Sequence, residues 1–131
     1  MASLYNQAYK LQEQRDFDGA MRLFKQDIAE NPSAMDRMVT TYAMGGCVWE
    51  SAGLEAEGKV YSLVPGNLAA AEAAQKYWED VVNIYHKEVK ENAAELARWP
   101  FRGGSPHQMC KDAVSAAFRA HSAIERVKKG R

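Results

Sequence analysis

Apolar residues recur at three- and four-residue intervals along nearly the whole chain, and strict alternation is scarce, so the pattern predicts helices throughout. Ser3 is placed to cap a first helix whose Leu4, Ala8 and Leu11 form one stripe. Asp16 or Asp18 opens a second, with Phe17, Ala20, Met21, Phe24 and Ile28 inward and Asn31-Pro32 as its stop. Ser33 followed three residues later by Asp36 resembles a capping box and starts a third. Its stripe is Met35, Met38, Val39, Tyr42, Gly46, Trp49 and Ala52, and Gly53 ends it. The pair Gly45-Gly46 inside this helix costs about 1 kcal/mol per glycine against alanine, so a closely packed neighbour is expected there.

Residues 54–66 leave two readings open: a short helix broken at Gly58, or an extended connector through Val60 to Val64. Pro65-Gly66 then makes a turn and Asn67 is a good N-cap. From Leu68 the helical pattern runs through Ala71, Ala74, Trp78, Val81, Val82, Tyr85, Val89 and Asn92 to Leu96, which predicts one long helix near 68–97 as the spine. "RWPFRGGSP" stops it. Ser105, Pro106 and Gln108 mark the start of a last helix near 106–128, with Cys110, Ala113, Val114, Ala117, His121 and Ile124 as its inner stripe. The expected fold is therefore all-α, one domain spanning residues 1–131.

Composition changes this picture little, because 47% hydrophobic and 26% charged residues are ordinary for a globular chain. The N-terminus lacks the basic-then-apolar order of a signal peptide and no apolar run is long enough to cross a membrane. Cys47 and Cys110 make no disulfide framework and read as free thiols, so the expected location is cytoplasmic. Charge is more informative. The net charge is zero, yet residues 1–97 carry 9 basic and 15 acidic side chains and residues 98–131 carry 8 and 2. Mutual attraction is the simplest meaning of that split. It predicts the last helix docked along the long one, with Arg119 and Arg126 near Glu72, Glu79, Glu88 or Glu95 and Val114, Ala117, Phe118 and Ile124 buried between them. A basic arm for nucleic acid is the sharper alternative, and the neutrality of the whole domain speaks against it.

The first 34 residues resemble a tetratricopeptide repeat (TPR), a helix–turn–helix unit. Leu4, Ala8 and Leu11 stand where that family alternates large and small residues. Asp16-Phe17-Asp18 stands in the turn, Ala20 and Phe24 at the small and aromatic positions of the second helix, and Pro32 at the closing proline. Leu4, Gln7 and Asp27 depart from the family's tryptophan, leucine and alanine. The next 34 residues do not repeat the pattern, since Gly45 falls where a large residue should pack. The resemblance therefore implies one TPR-like hairpin continued by longer helices. It also implies a peptide-binding concave face, which here would carry Tyr5, Asn6, Tyr9 and Gln12 in place of a basic carboxylate clamp, set against the alternative that Tyr5 and Tyr9 pack on the neighbouring third helix.

Candidate chemistry is thin. His107 and Cys110, three apart, do not complete a zinc site, and no third group marks a Cys–His nucleophile pair. Arg102, Gly103, Gly104 and Ser105 lead into a helix N-terminus and are a candidate anion-binding loop, set against a plain helix–helix connector. Paired acids such as Glu79-Asp80 read as solvated faces. No metal, cofactor or catalytic set is expected. The favoured function is a protein–protein interaction module, adaptor or chaperone-like, taking a peptide or partner helix in a groove and not an enzyme. Two alternatives stay open: a helical bundle holding a small ligand around Tyr42, His121 and Cys110, and a self-assembling structural subunit. A homo-oligomer fits either the module or the subunit.

Overall fold

Side-chain caps start the first three helices where the sequence places them. In the computed structural model, which describes residues 3–31, 33–53, 55–56, 59–60 and 65–130, Ser3 Oγ accepts from the Asn6 amide and opens α1 (Leu4–Glu13). Asp16 accepts from the Gly19 amide and opens α2 (Phe17–Glu30). Ser33 accepts from the Asp36 amide and donates back to its carboxylate at the head of α3 (Ala34–Ser51). Between α1 and α2 the chain reverses through Arg15 at φ 65°, and the Asp16 amide bonds back to Leu11. The Arg15 guanidinium lies 5.1 Å from the Phe17 ring centre. Gly53, at φ 70°, ends α3 as expected. Pro32, the closing proline of the resemblance, lies outside the described residues.

Past α3 the local rules hold less well. Glu55–Ala56 (β1) pairs antiparallel with Lys59–Val60 (β2), and a 3₁₀ turn, Pro65–Asn67, leads into α4 (Leu68–Ile84). Gly58 and the connector residues 61–64 lie outside the described residues. Asn67 makes no side-chain cap; its Nδ2 donates to the Ala52 carbonyl and ties the start of α4 to the end of α3. The expected spine also ends early. After α4 comes one wider π turn, Tyr85–Val89, and the chain then breaks so that Asn92 caps a separate short helix, α5 (Ala93–Leu96). Asn92 Oδ1 accepts from the Glu95 amide, so a residue read as part of the apolar stripe acts as a new start signal. The last helix, α6 (Pro106–Lys129), is capped by Ser105. Gln108 does not close the box; its amide donates to Asp112.

The fold is all-α, with each long helix packing chiefly on the next: α1 on α2, α2 on α3, α3 on α4, α4 on α6. Two cores result. Ala8, Ala20, Phe24, Ala43, Met44 and Cys47 bind the α1–α2 hairpin to α3. The larger one joins α3, α4 and α6 and contains Met35, Met38, Trp49, Trp78, Val81, Tyr85 and, from α6, Ala113, Ala116 and Ala120. Gly45 explains the glycine pair: a Cβ there would sit 2.5 Å from Trp78 Nε1, whereas at Gly46 it would meet open space. The two helices approach over that bare backbone, and the Trp78 ring meets Trp49 at 5.7 Å, tilted 55° to it.

On α6 the inward stripe differs from the expected one. Cys110, Ala113, Ala116, Ala120, Ala123 and Ile124 are buried, whereas Val114 is 52% exposed and Phe118 69% exposed. His121 is exposed and Ala117 half-buried. The helix still docks along α4, as the charge split predicts, but the acids named for its arginines are partly engaged elsewhere. Glu88 pairs with Arg37, and Glu95 accepts from the Met35 amide at the head of α3 at 2.8 Å. Arg98, the first basic residue of the C-terminal segment, reaches Asp36 at 3.2 Å.

Candidate functional site

Helical spacing puts Tyr5 and Tyr9 on one flank of α1, rotated from the buried Ala8. Their rings lie 5.3 Å apart, and Phe24 meets both, at 5.9 Å from Tyr5 and 6.3 Å from Tyr9. The two tyrosines then part ways. Tyr5 is half-buried and packs against both cores. Burial, then the adjacent Tyr9 and the Asp27 carboxylate, hold its hydroxyl protonated well above the ordinary tyrosine range. Tyr9 remains 42% exposed. Asn6, next to Tyr5 in sequence, is also exposed. Gln12 instead ties α1 to α3, donating from Nε2 to Glu50 at 3.0 Å. Of the four residues read as a binding face, Asn6 and Tyr9 thus face solvent, while Tyr5 and Gln12 hold the helix that presents them.

Under this flank lies a polar contact that sequence reading passed over. Asp27 is 5% exposed, and Thr40 donates to its Oδ2 at 2.7 Å while Asn31 donates to its Oδ1 at 2.8 Å. Asp27 therefore builds a satisfied carboxylate bridge between α2 and α3. The signal was local: a charged residue next to Phe24 and Ile28 on the inward pattern of α2.

The connector before α6 is self-contained. Trp99 Nε1 donates to the Gly103 carbonyl at 3.1 Å, the Trp99 and Phe101 rings meet at 5.0 Å, and Gly104 turns at φ 69°. Ser105 spends its hydroxyl on the helix amide, and Arg102, Gly103 and Gly104 are exposed around it. The arrangement forms a folded turn over Trp99, with the candidate anion residues along its rim.

Side chains of the π turn and of α6 meet in a way the sequence did not suggest. His107 Nδ1 lies 3.4 Å from the Tyr85 hydroxyl, and Cys110 Sγ lies 3.9 Å from His86 Nε2. His107 and Cys110 thus pair with successive residues of the turn. Burial pushes the Cys110 thiol up, partly countered by Lys90, and pushes the Cys47 thiol up to about 11. Such thiols are poor nucleophiles at neutral pH. Among the described residues no three His, Cys, Asp or Glu side chains converge to hold a metal ion.

Two adjoining clefts run along α3. One, of about 460 Å³, lies between the head of α3 and the π turn, around Ser33, Arg37, His86, Glu91 and Glu95. The other, of about 370 Å³, is bounded by Ile28, Thr41, Asp80, Asn83 and Ile84. Arg37, Lys87 and Glu88 line both, and the Arg37–Glu88 pair stands at their junction. Neither brings together Tyr42, His121 and Cys110, the residues of the small-ligand alternative; His121 faces solvent while Cys110 faces α4. No helix among the described residues is long and apolar enough to cross a membrane. No family model, curated protein or solved structure matches the chain.

Proposed function

We propose that this chain is a protein-interaction module in which the α1 flank receives a peptide or a partner helix. The observation that carries the reading is Tyr9: an aromatic side chain 42% exposed yet braced by two other rings. A partly fixed tyrosine offers a partner large apolar area and a hydroxyl while losing little side-chain freedom on contact. Exposed Asn6 adds an amide able to donate and accept to a backbone. The TPR-like spacing of residues 1–34 supports the same face, since α1 occupies the place of that family's groove-lining helix. The absence of lysine or arginine at Tyr5, Asn6 and Tyr9 favours a partner that does not present a terminal carboxylate there. An adaptor or chaperone-like role in the cytoplasm, without catalysis, accords with this surface.

The test is site-directed photocrosslinking in lysate of the native cell. A photoreactive phenylalanine at position 9 should capture a defined partner, and the same group at exposed Lys25 on α2 should not. Tyr9→Ala should abolish competition for that partner with the fold intact. Identical capture profiles at positions 9 and 25 would contradict the reading. A second reading, self-assembly, is favoured by one specific observation, the outward Val114 and Phe118 of α6.

A further inference from the structure

The outermost helix of a stack has only one neighbour, and its free face is ordinarily polar. Here that face carries Lys111, Val114, Ser115, Phe118, His121 and Glu125, with Val114 52% and Phe118 69% exposed. Neither apolar side chain holds α6 in place, because the opposite face, Cys110, Ala113, Ala116 and Ala120, does so. Phe118 is the most exposed large apolar side chain among the described residues.

The charges on this face have an order. Lys111, Phe118 and Glu125 are spaced by seven, so they fall on one line along the helix, about 10 Å apart. Neither Lys111 nor Glu125 has an ion-pair partner among the described residues. We infer that this face is a homodimer seam, in which α6 of a second copy lies antiparallel across Phe118. A two-fold axis at Phe118 sets ring against ring, Val114 against Ser122, and each Lys111 opposite Glu125 of the other copy. A parallel second copy would set Lys111 against Lys111. A partner segment of a single charge sign would meet a like charge at one of the two ends. The antiparallel copy alone satisfies both ends and covers the phenylalanine. A seam one helix wide lies at the small end of specific interfaces, the class of weak and reversible contacts.

Sedimentation equilibrium on the full chain, over about a hundredfold range of concentration, tests this. The expected result is a reversible monomer–dimer equilibrium with no larger species. K111E alone and E125K alone each set like charges opposite one another at both ends, and each should raise the dimer dissociation constant about tenfold. An equimolar mixture of the two variants restores opposite pairing at both ends, so it should associate as the original chain does. Phe118→Gln should remove association while the circular dichroism of the dilute protein stays unchanged. A chain monomeric throughout, single reversals without effect, or a mixture no tighter than its components would each overturn the seam.

Discussion

Phe24 and Phe118 hold similar places in the sequence: each follows a smaller apolar residue by four, Ala20 and Val114, in an amphipathic helix. One is fully buried and the other is 69% exposed. The difference lies in what each helix faces. α2 packs on α1 and α3 where they offer Ala8, Ala43 and Cys47, small residues that leave room for a phenylalanine. α6 packs on α4 and the π turn that follows it, which contribute Trp78, Val81, Tyr85 and Val89 to the shared core. Against large side chains the close fit comes from alanines, so α6 turns its Ala113, Ala116 and Ala120 inward and its phenylalanine out. Amphipathic spacing says that a helix has an inner face; the size of the neighbour's side chains decides which of two apolar stripes that is.

The largest expected effect breaks the buried half of this pair. Phe24→Ala should cost about 3–5 kcal/mol in chemical denaturation, from lost transfer energy and the cavity left among Tyr5, Ala8 and Met44. A loss below about 1 kcal/mol would mean that α2 does not anchor the hairpin.

Two smaller changes probe how each core was fitted. Gly45→Ala should destabilise by about 1–3 kcal/mol, because its Cβ would press on the Trp78 indole and force α3 and α4 apart. Gly46→Ala, one residue on, should instead stabilise by up to about 1 kcal/mol, since only helix propensity changes there. Equal responses at the two positions in thermal or denaturant unfolding would show that no close approach exists. On the hairpin side, Thr40→Val should cost about 1–3 kcal/mol by leaving Asp27 Oδ2 buried without its donor. A neutral outcome would place Asp27 in contact with water.

The sequence made legible what is decided locally. Ser3, Asp16, Ser33 and Ser105 each cap the helix they precede, because a hydroxyl or carboxylate three residues from a free amide needs no tertiary partner. The close approach at the glycine pair was readable too, though its partner, Trp78, was not. What depended on distant residues stayed hidden. The neighbours of Asn92 fit a continuous helix, whereas its side chain caps α5 and Glu95 turns back to the head of α3. The tyrosine flank shows the same division. Spacing separated Tyr5 and Tyr9 from the Ala8 stripe, but that Gln12 would bond Glu50, 38 residues away, has no local signature. The inner face of α6 differs from the expected one for the reason Phe118 illustrates: its small side chains, and not its larger ones, fit against the bulky residues of the shared core.

The most direct test of that account is the unfolding free energy of Phe118→Gln, measured by urea denaturation in dilute solution where a weak dimer dissociates. An outward Phe118 predicts a value within about 0.5 kcal/mol of the parent chain, as for other exposed positions. A loss of about 3 kcal/mol or more, the scale of a truncated core aromatic, would put Phe118 against α4 and contradict the alanine-lined seam.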